Sequence, residues 1–175
     1  MNERRFRGWQ IRPYKSFDRF ALERMYADFE PKRAAQGLPP EGGRLHAWLD
    51  EVLKHGLHVV ATFGPRILGH VMLIPLENNT AELANFVHQS VRGRGLGTEL
   101  NRAAIDLARE AGLRRVWLSV DPSNRAAIRS YTRTGFHILP GSPWAPELEM
   151  AIDLTNTTAA PESSLATPEP EPARP

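Results

Sequence analysis

The chain has no cysteine among its 175 residues. That excludes disulfides, thiolate metal sites and a cysteine nucleophile, and it agrees with a cytoplasmic setting. No apolar run approaches the roughly 20 residues of a membrane span. The basic start, Met1 to Arg7, is followed by no apolar core, so no signal peptide is expected. Charge of one sign is scarce: the net charge is +2. A nucleic-acid binder usually shows a strong basic stripe, and none is present. The stretch after Leu154 sets Glu162, Glu169 and Glu171 against Arg174, a net −2, which leaves +4 for the rest. That mild excess suits a polyanionic small ligand. The histidines are scattered (His46, His55, His58, His70, His88, His137) and no His-Glu-x-x-His occurs, so no metal site is expected. Serine nucleophile elbows are absent too.

The length is that of one domain. Residues 1–7 read as a frayed end. Gly8 to Tyr14 alternates Trp9 and Ile11 and reads as a strand stopped by Pro13. Ser16 is a candidate N-cap for a helix running to about Tyr26, with Phe17, Phe20, Ala21 and Met25 at helical spacing. A Pro/Gly-rich loop, Asp28 to Gly43, leads to a second helix, Arg44 to His55, ended by Gly56. Leu57–Phe63 and Arg66–Leu76 flank Gly64-Pro65 as an antiparallel hairpin. Ala81–His88 is a further strand, and Leu96–Ala111 is a helix striped by Leu96, Leu100, Ala103, Ala104 and Leu107. Then come a strand Val116–Val120, a short helix Asn124–Thr134, and strands Phe136–Leu139 and Glu147–Leu154, with Trp144 in the loop between the last two. Residues 155–175 hold five prolines and few apolar groups, and read as a disordered tail. Residues 8–154 are thus the expected domain. This order is α+β, with a central mixed and mostly antiparallel sheet flanked by helices.

The stretch that carries chemistry is Val87-His88-Gln89-Ser90-Val91-Arg92-Gly93-Arg94-Gly95-Leu96-Gly97-Thr98. It lies where a strand ends and a helix begins. A helix N-terminus offers free N–H groups and partial positive charge, which suit phosphate oxygens. Glycine lets the backbone approach an anion, and Arg92 and Arg94 add full charge. A glycine-rich turn of no further use is the competing reading. The dinucleotide fingerprint Gly-x-Gly-x-x-Gly fails here, since Thr98 or Leu100 stands where its third glycine belongs. The P-loop fails as well, because no lysine is present. Arg-x-x-Gly-x-Gly does match, through Arg92, Gly95 and Gly97. Behind it follow Asn124, Ala126-Ala127, Tyr131 and Gly135-Phe136 in order. Together these resemble the Gcn5-related N-acetyltransferase (GNAT) family over roughly residues 8 to 154.

The resemblance implies acetyl-CoA as cosubstrate, with no metal. It implies that backbone N–H groups of Gly93, Arg94, Gly95, Leu96, Gly97 and Thr98 hold the pyrophosphate. Pantetheine would pair like an extra strand with Asn85, Phe86 and Val87. Asn85 or Phe86 would offer an N–H to the thioester oxygen. Tyr131, seven residues after Asn124, would protonate the leaving thiolate, and a core tyrosine is the competing reading. Asn124 would contact the cofactor, cap its helix, or both. The family's usual glutamate positions hold Ala81 and Ser119, and Glu82 is one position off, pointing to the opposite face unless a bulge intervenes. Glu82, His88 or a water chain remain as bases. Glu30 to Pro40, with Trp48, reads as the acceptor side. The implied reaction is direct acetyl transfer to the primary amine of a small molecule, peptide or protein. The alternative is a CoA-binding sensor that lost transfer. No nucleic acid or membrane partner is expected, and a homodimer is compatible with the sequence.

Overall fold

The computed structural model describes residues 3–32, 38–141 and 146–154. The tail and Trp144 lie outside those residues, as does the middle of the Glu30–Pro40 loop.

Eight strands form one sheet: β1 (Arg4–Phe6), β2 (Trp9–Pro13), β3 (Leu57–Phe63), β4 (Arg66–Pro75), β5 (Thr80–Val87), β6 (Arg115–Val120), β7 (His137–Ile138) and β8 (Leu148–Asp153). Their order across the sheet is β1-β2-β3-β4-β5-β6-β8-β7. Every described pairing is antiparallel except β5 with β6. Four α-helices accompany them: α1 (Arg19–Ala27), α2 (Arg44–Val52), α3 (Leu96–Glu110) and α4 (Arg125–Thr132). Among the described residues, no helix is long and apolar enough to cross a membrane.

The two sheet faces carry separate cores. Strand alternation sends Ala81, Leu83 and Val87 of β5 toward α3 and α4, and Ala84 and Phe86 toward α1 and α2. The α3 face is aliphatic, built on Leu96, Leu100, Ala104, Ile105 and Leu118. The α1/α2 face is aromatic. There Tyr26 meets Trp48, Phe29 and Phe86 in edge or tilted contacts, with ring centroids 5.1, 6.3 and 5.4 Å away.

Beneath that aromatic cluster runs a buried polar chain. His58 and His70 face each other across β3 and β4, stacked at 5.2 Å. His58 Nε2 lies 2.8 Å from the His55 carbonyl and must donate to it. His58 Nδ1 therefore accepts from His70 Nε2–H at 3.1 Å, and His70 Nδ1 accepts from the Tyr26 hydroxyl at 2.7 Å. One tautomer set satisfies every atom, with all three rings neutral. Burial lowers the pKa of both histidines, His70 well below the usual value with His58 adding to it, and burial raises Tyr26 well above its own.

The N-terminus corrects the sequence reading. Arg4–Phe6 is a strand and not part of a frayed end. Arg7 and Gly8 both take positive φ (48° and 86°), which joins Phe6 to Trp9 in a two-residue hairpin. Arg4 forms an ion pair with Asp106, so β1 is also tied to α3. Nor does Ser16 cap the following helix. Asp18 does the local work: its carboxylate accepts from the Lys15 N–H at 2.8 Å and from both Arg12 terminal nitrogens at 2.6 and 2.7 Å. Burial pushes the Asp18 carboxyl up, but these partners hold it below the usual carboxylate range. The second helix stops at Val52, three residues short of His55.

Candidate active site

Two glycines of the loop need to be glycine. Gly93 and Gly95 have φ of 74° and 86°, a region closed to most side chains. Gly95 is the N-cap of α3, and Leu96, fully buried, anchors the first turn in the aliphatic core. A Cβ on Gly95 would lie 3.4 Å from the Phe6 ring. So β1 supports the loop from below, through a contact that no residue pattern marks. Gly97 is different: its φ is helical, and a Cβ there would meet only ordinary contacts, 3.5 Å and more away. The protein's own packing does not require that glycine.

The arginines divide. Arg94 is exposed at the loop. Arg92 turns back: its Nε donates to the Val87 carbonyl at 2.9 Å, and its guanidinium sits 5.0 Å from the centre of the Phe29 ring. Arg92 thereby ties the loop to the end of β5.

β5 and β6 part company. Their parallel ladder covers only Thr80–Glu82 against Arg115–Trp117. β5 runs on through Leu83–Val87 with no described partner on that side, an edge roughly 16 Å long at ~3.3 Å per residue. On its other side β5 pairs with β4 without a break in register, so no bulge displaces Glu82. The bonds from His88 N–H to the Leu68 carbonyl and from Leu76 N–H to the Thr80 carbonyl show that even-numbered residues of β5 face β4. The backbone groups of Leu83, Asn85 and Val87 therefore face the opening. Phe86 spends its backbone on β4 and its side chain on the aromatic core, which corrects its expected place as a backbone ligand. Of the three groups, the Val87 carbonyl is already taken by Arg92.

A polar network lies under this opening on the α3 face. Asn85 Nδ2 donates to the Gly97 carbonyl at 3.0 Å and to Asn101 Oδ1 at 2.6 Å. Asn101 is fully buried, and its Nδ2 donates to Ser130 Oγ at 3.2 Å. Ser130 also meets Thr98 Oγ1 at 3.0 Å. The network therefore joins β5, the first turn of α3, and α4 one residue before Tyr131. Asn101 and Ser130 carry no motif, and nothing in their sequence context marks them.

Tyr131 packs in the aliphatic core, 5.7 Å from Phe136. Burial pushes its pKa up to about 12, so the phenol stays protonated throughout the physiological range. Asn124 caps α4, its Oδ1 accepting from Ala127 N–H at 3.1 Å.

The two base candidates both stand on the α1/α2 side. Glu82 is half-buried at the last paired position before β5 and β6 separate. Burial raises its pKa, and Glu147 raises it further. His88 is committed to local structure: its Nδ1 lies 2.8 Å from Ser90 Oγ and caps the short helical turn Gln89–Val91. Burial lowers its pKa, with Arg66 and Arg92 contributing. Gln89 clamps the segment after α1 to this turn, donating to the Asp28 carbonyl at 2.5 Å and accepting from Glu30 N–H at 3.0 Å. Among the described residues, no group of three or more His, Asp or Glu could hold a metal ion.

The fold has known counterparts. The GNAT domain of PAT from S. lividans aligns with a TM-score of 0.71 at 20% identity, covering 83% of this chain and 90% of that one. The structure of yncA from Salmonella typhimurium, solved with its cofactor acetyl-CoA, aligns at 0.69 and 22%, covering 89% and 99%. An L-methionine sulfoximine/L-methionine sulfone acetyltransferase of Pseudomonas aeruginosa is 28% identical over 138 residues, which is 70% of this chain and 80% of that protein. A family model described as acetyltransferase (GNAT) matches residues 20–136. Since that match spans more than half of the sequence, from α1 through Phe136, the chain belongs to the acetyltransferase (GNAT) family of acetyl-CoA-dependent acyltransferases.

Proposed function

We propose that the chain moves an acetyl group from acetyl-CoA to a primary amine by direct transfer in a ternary complex. The observation that carries this reading is the unpaired edge of β5. It runs into a loop whose Gly93 and Gly95 are left-handed, and Tyr131 stands on the adjacent helix. Phosphates fit the N–H groups of Gly93 to Gly97, while the Thr98 N–H is donated to the Gly95 carbonyl at 3.1 Å. The pantetheine arm fits the open edge by strand addition. Strand alternation selects Asn85, not Phe86, as the N–H donor to the thioester oxygen.

The amine nitrogen attacks the thioester carbon from the α1/α2 side. A C–N bond forms and the C–S bond breaks. Glu82 is the proposed proton acceptor, because its raised pKa brings it toward that of a working base. Its position one residue from the family's usual slot places it on the α1/α2 face, opposite Tyr131. Tyr131, held protonated by burial, donates to the departing sulfur. The cysteine-free sequence leaves no thiol for an acetyl-enzyme intermediate. The favoured acceptor is a small amine, by analogy with the amino-acid derivative for which the Pseudomonas relative is named. A cytoplasmic setting fits the same lack of cysteine.

Calorimetric titration with acetyl-CoA, using NAD and ATP as controls, tests the cofactor. Thiol release over a panel of small amines and peptides tests the transfer. Selective acetyl-CoA binding with acceptor-dependent thiol release is expected. Binding of NAD or ATP in place of acetyl-CoA would overturn the reading.

A further inference from the structure

Asn85 Oδ1 is buried and has no hydrogen-bond partner, and it is the one such side-chain atom among the described residues. Its orientation is fixed. The Gly97 carbonyl, 3.0 Å from the amide, can only accept, so the amide must turn its Nδ2 there and its Oδ1 away. Asn101 Oδ1 at 2.6 Å takes the second Nδ2 hydrogen. Both donors are thus used to hold the side chain still, and the acceptor is left over. A buried acceptor without a partner is unfavourable, and native folds rarely keep one. A ligand lying along the open edge of β5 can bring the missing donor. Asn85 lies on the stretch of β5 that has left β6, between the opening and the first turn of α3.

We propose that Asn85 Oδ1 accepts a hydrogen bond from a pantetheine amide N–H of the cofactor once the arm lies between β5 and β6. The inference rests on the cofactor reading above. It gives the side chain of Asn85 a role separate from that of its backbone. Acetyl-CoA brings two amide N–H donors along this arm. The Asn85–Asn101–Ser130 chain also explains why the acceptor is worth holding. It registers the arm against the phosphate loop through Gly97, and against α4 through the neighbour of Tyr131.

The test uses CoA and two analogues, each with one pantetheine amide N–H replaced by a methylene. Calorimetry should show one analogue binding wild-type protein about tenfold more weakly than CoA. The paired variant Asn85→Leu/Asn101→Leu removes both amides and keeps the volume similar. It should bind CoA about tenfold more weakly than wild type and lose the discrimination between CoA and that analogue. Its thermal midpoint should stay level or rise, because the orphan acceptor is gone. The wild-type comparison needs no variant, so it stands even if the paired variant does not fold. Equal binding of CoA and both analogues to wild type overturns the inference while leaving the cofactor reading intact. No CoA binding at all overturns the cofactor reading itself, and this inference with it.

Discussion

The two sheet faces each carry a polar cluster, and the clusters differ in how their hydrogen bonds close. On the α1/α2 face, Tyr26, His70 and His58 form a chain that ends on the His55 carbonyl with every donor and acceptor matched. On the α3 face, Asn85, Asn101, Ser130 and Thr98 form a chain with one acceptor left over. A closed network stabilises and specifies a core, whereas an open one costs stability until something fills it. The open network lies beside the separated strands and the glycine loop. The closed one joins α1 to β3 and β4. The closed cluster is buried throughout, whereas Asn101 is the buried member of the open one and Asn85, Thr98 and Ser130 are half-buried; the unmatched acceptor is what marks the open cluster as poised for a ligand.

The contrast can be broken hardest at the loop. Gly95→Asp forces a side chain into a φ of 86° and sets a negative charge where phosphate would lie. Acetyl-CoA affinity should fall by about 100-fold or more, read by calorimetry on protein shown folded by circular dichroism. Unchanged affinity would remove the loop from the cofactor site. Next in size, Tyr131→Phe should lower kcat by about 100-fold and leave the acetyl-CoA Kd within about threefold, because it removes a donor used only when the sulfur departs. A kcat equal to wild type would return Tyr131 to the core. The closed cluster should answer in the opposite way. His70→Leu orphans the Tyr26 hydroxyl and His58 Nδ1, so denaturant unfolding should show a loss of about 2–4 kcal/mol, with acetyl-CoA affinity in the folded fraction unchanged. An affinity loss matching the stability loss would erase the distinction between the clusters.

The smallest effect is on pH. His58 and His70 have folded-state pKa values below the unfolded value of about 6.5. The unfolded chain therefore binds more protons in that range, and stability falls as pH drops below about 6.5, by at most ~1.4 kcal/mol per pH unit for each histidine. Their contribution is fully present above that value. Replacing both with glutamine should flatten the slope between pH 7 and 5, and an unaltered slope would assign the acid loss to other groups.

Some of this was plain in the residues. Leu57–Phe63 is rich in β-formers, and it forms a strand over those same residues. The apolar stripe from Leu96 gives α3, which ends one residue before the expected Ala111. The left-handed Gly93 and Gly95 sit in the strand-to-helix loop that the glycine spacing marked. Other features left no trace. Arg4–Phe6 is short and charged, and becomes a strand because Arg7-Gly8 turns it back on β2 and Phe6 reaches Gly95. Asn101 sits inside an apolar helix pattern where nothing distinguishes a buried amide from an exposed one. Its partners lie 16 and 29 residues away.

The order of elements, the glycine conformations open to the loop, and the chemistry on offer (a phenol, a carboxylate and no thiol) are written in the residues. They depend on local sterics and on residue type, which travel with the chain. Assembly of the fold sets which edge of β5 is left without a described neighbour, which way each of its backbone groups points, and that Asn85 keeps one acceptor unpaired while Tyr26 keeps none. Hydrogen-bond satisfaction and burial are set by distances between elements far apart in the chain, and those distances exist only once the sheet and its two faces have been assembled.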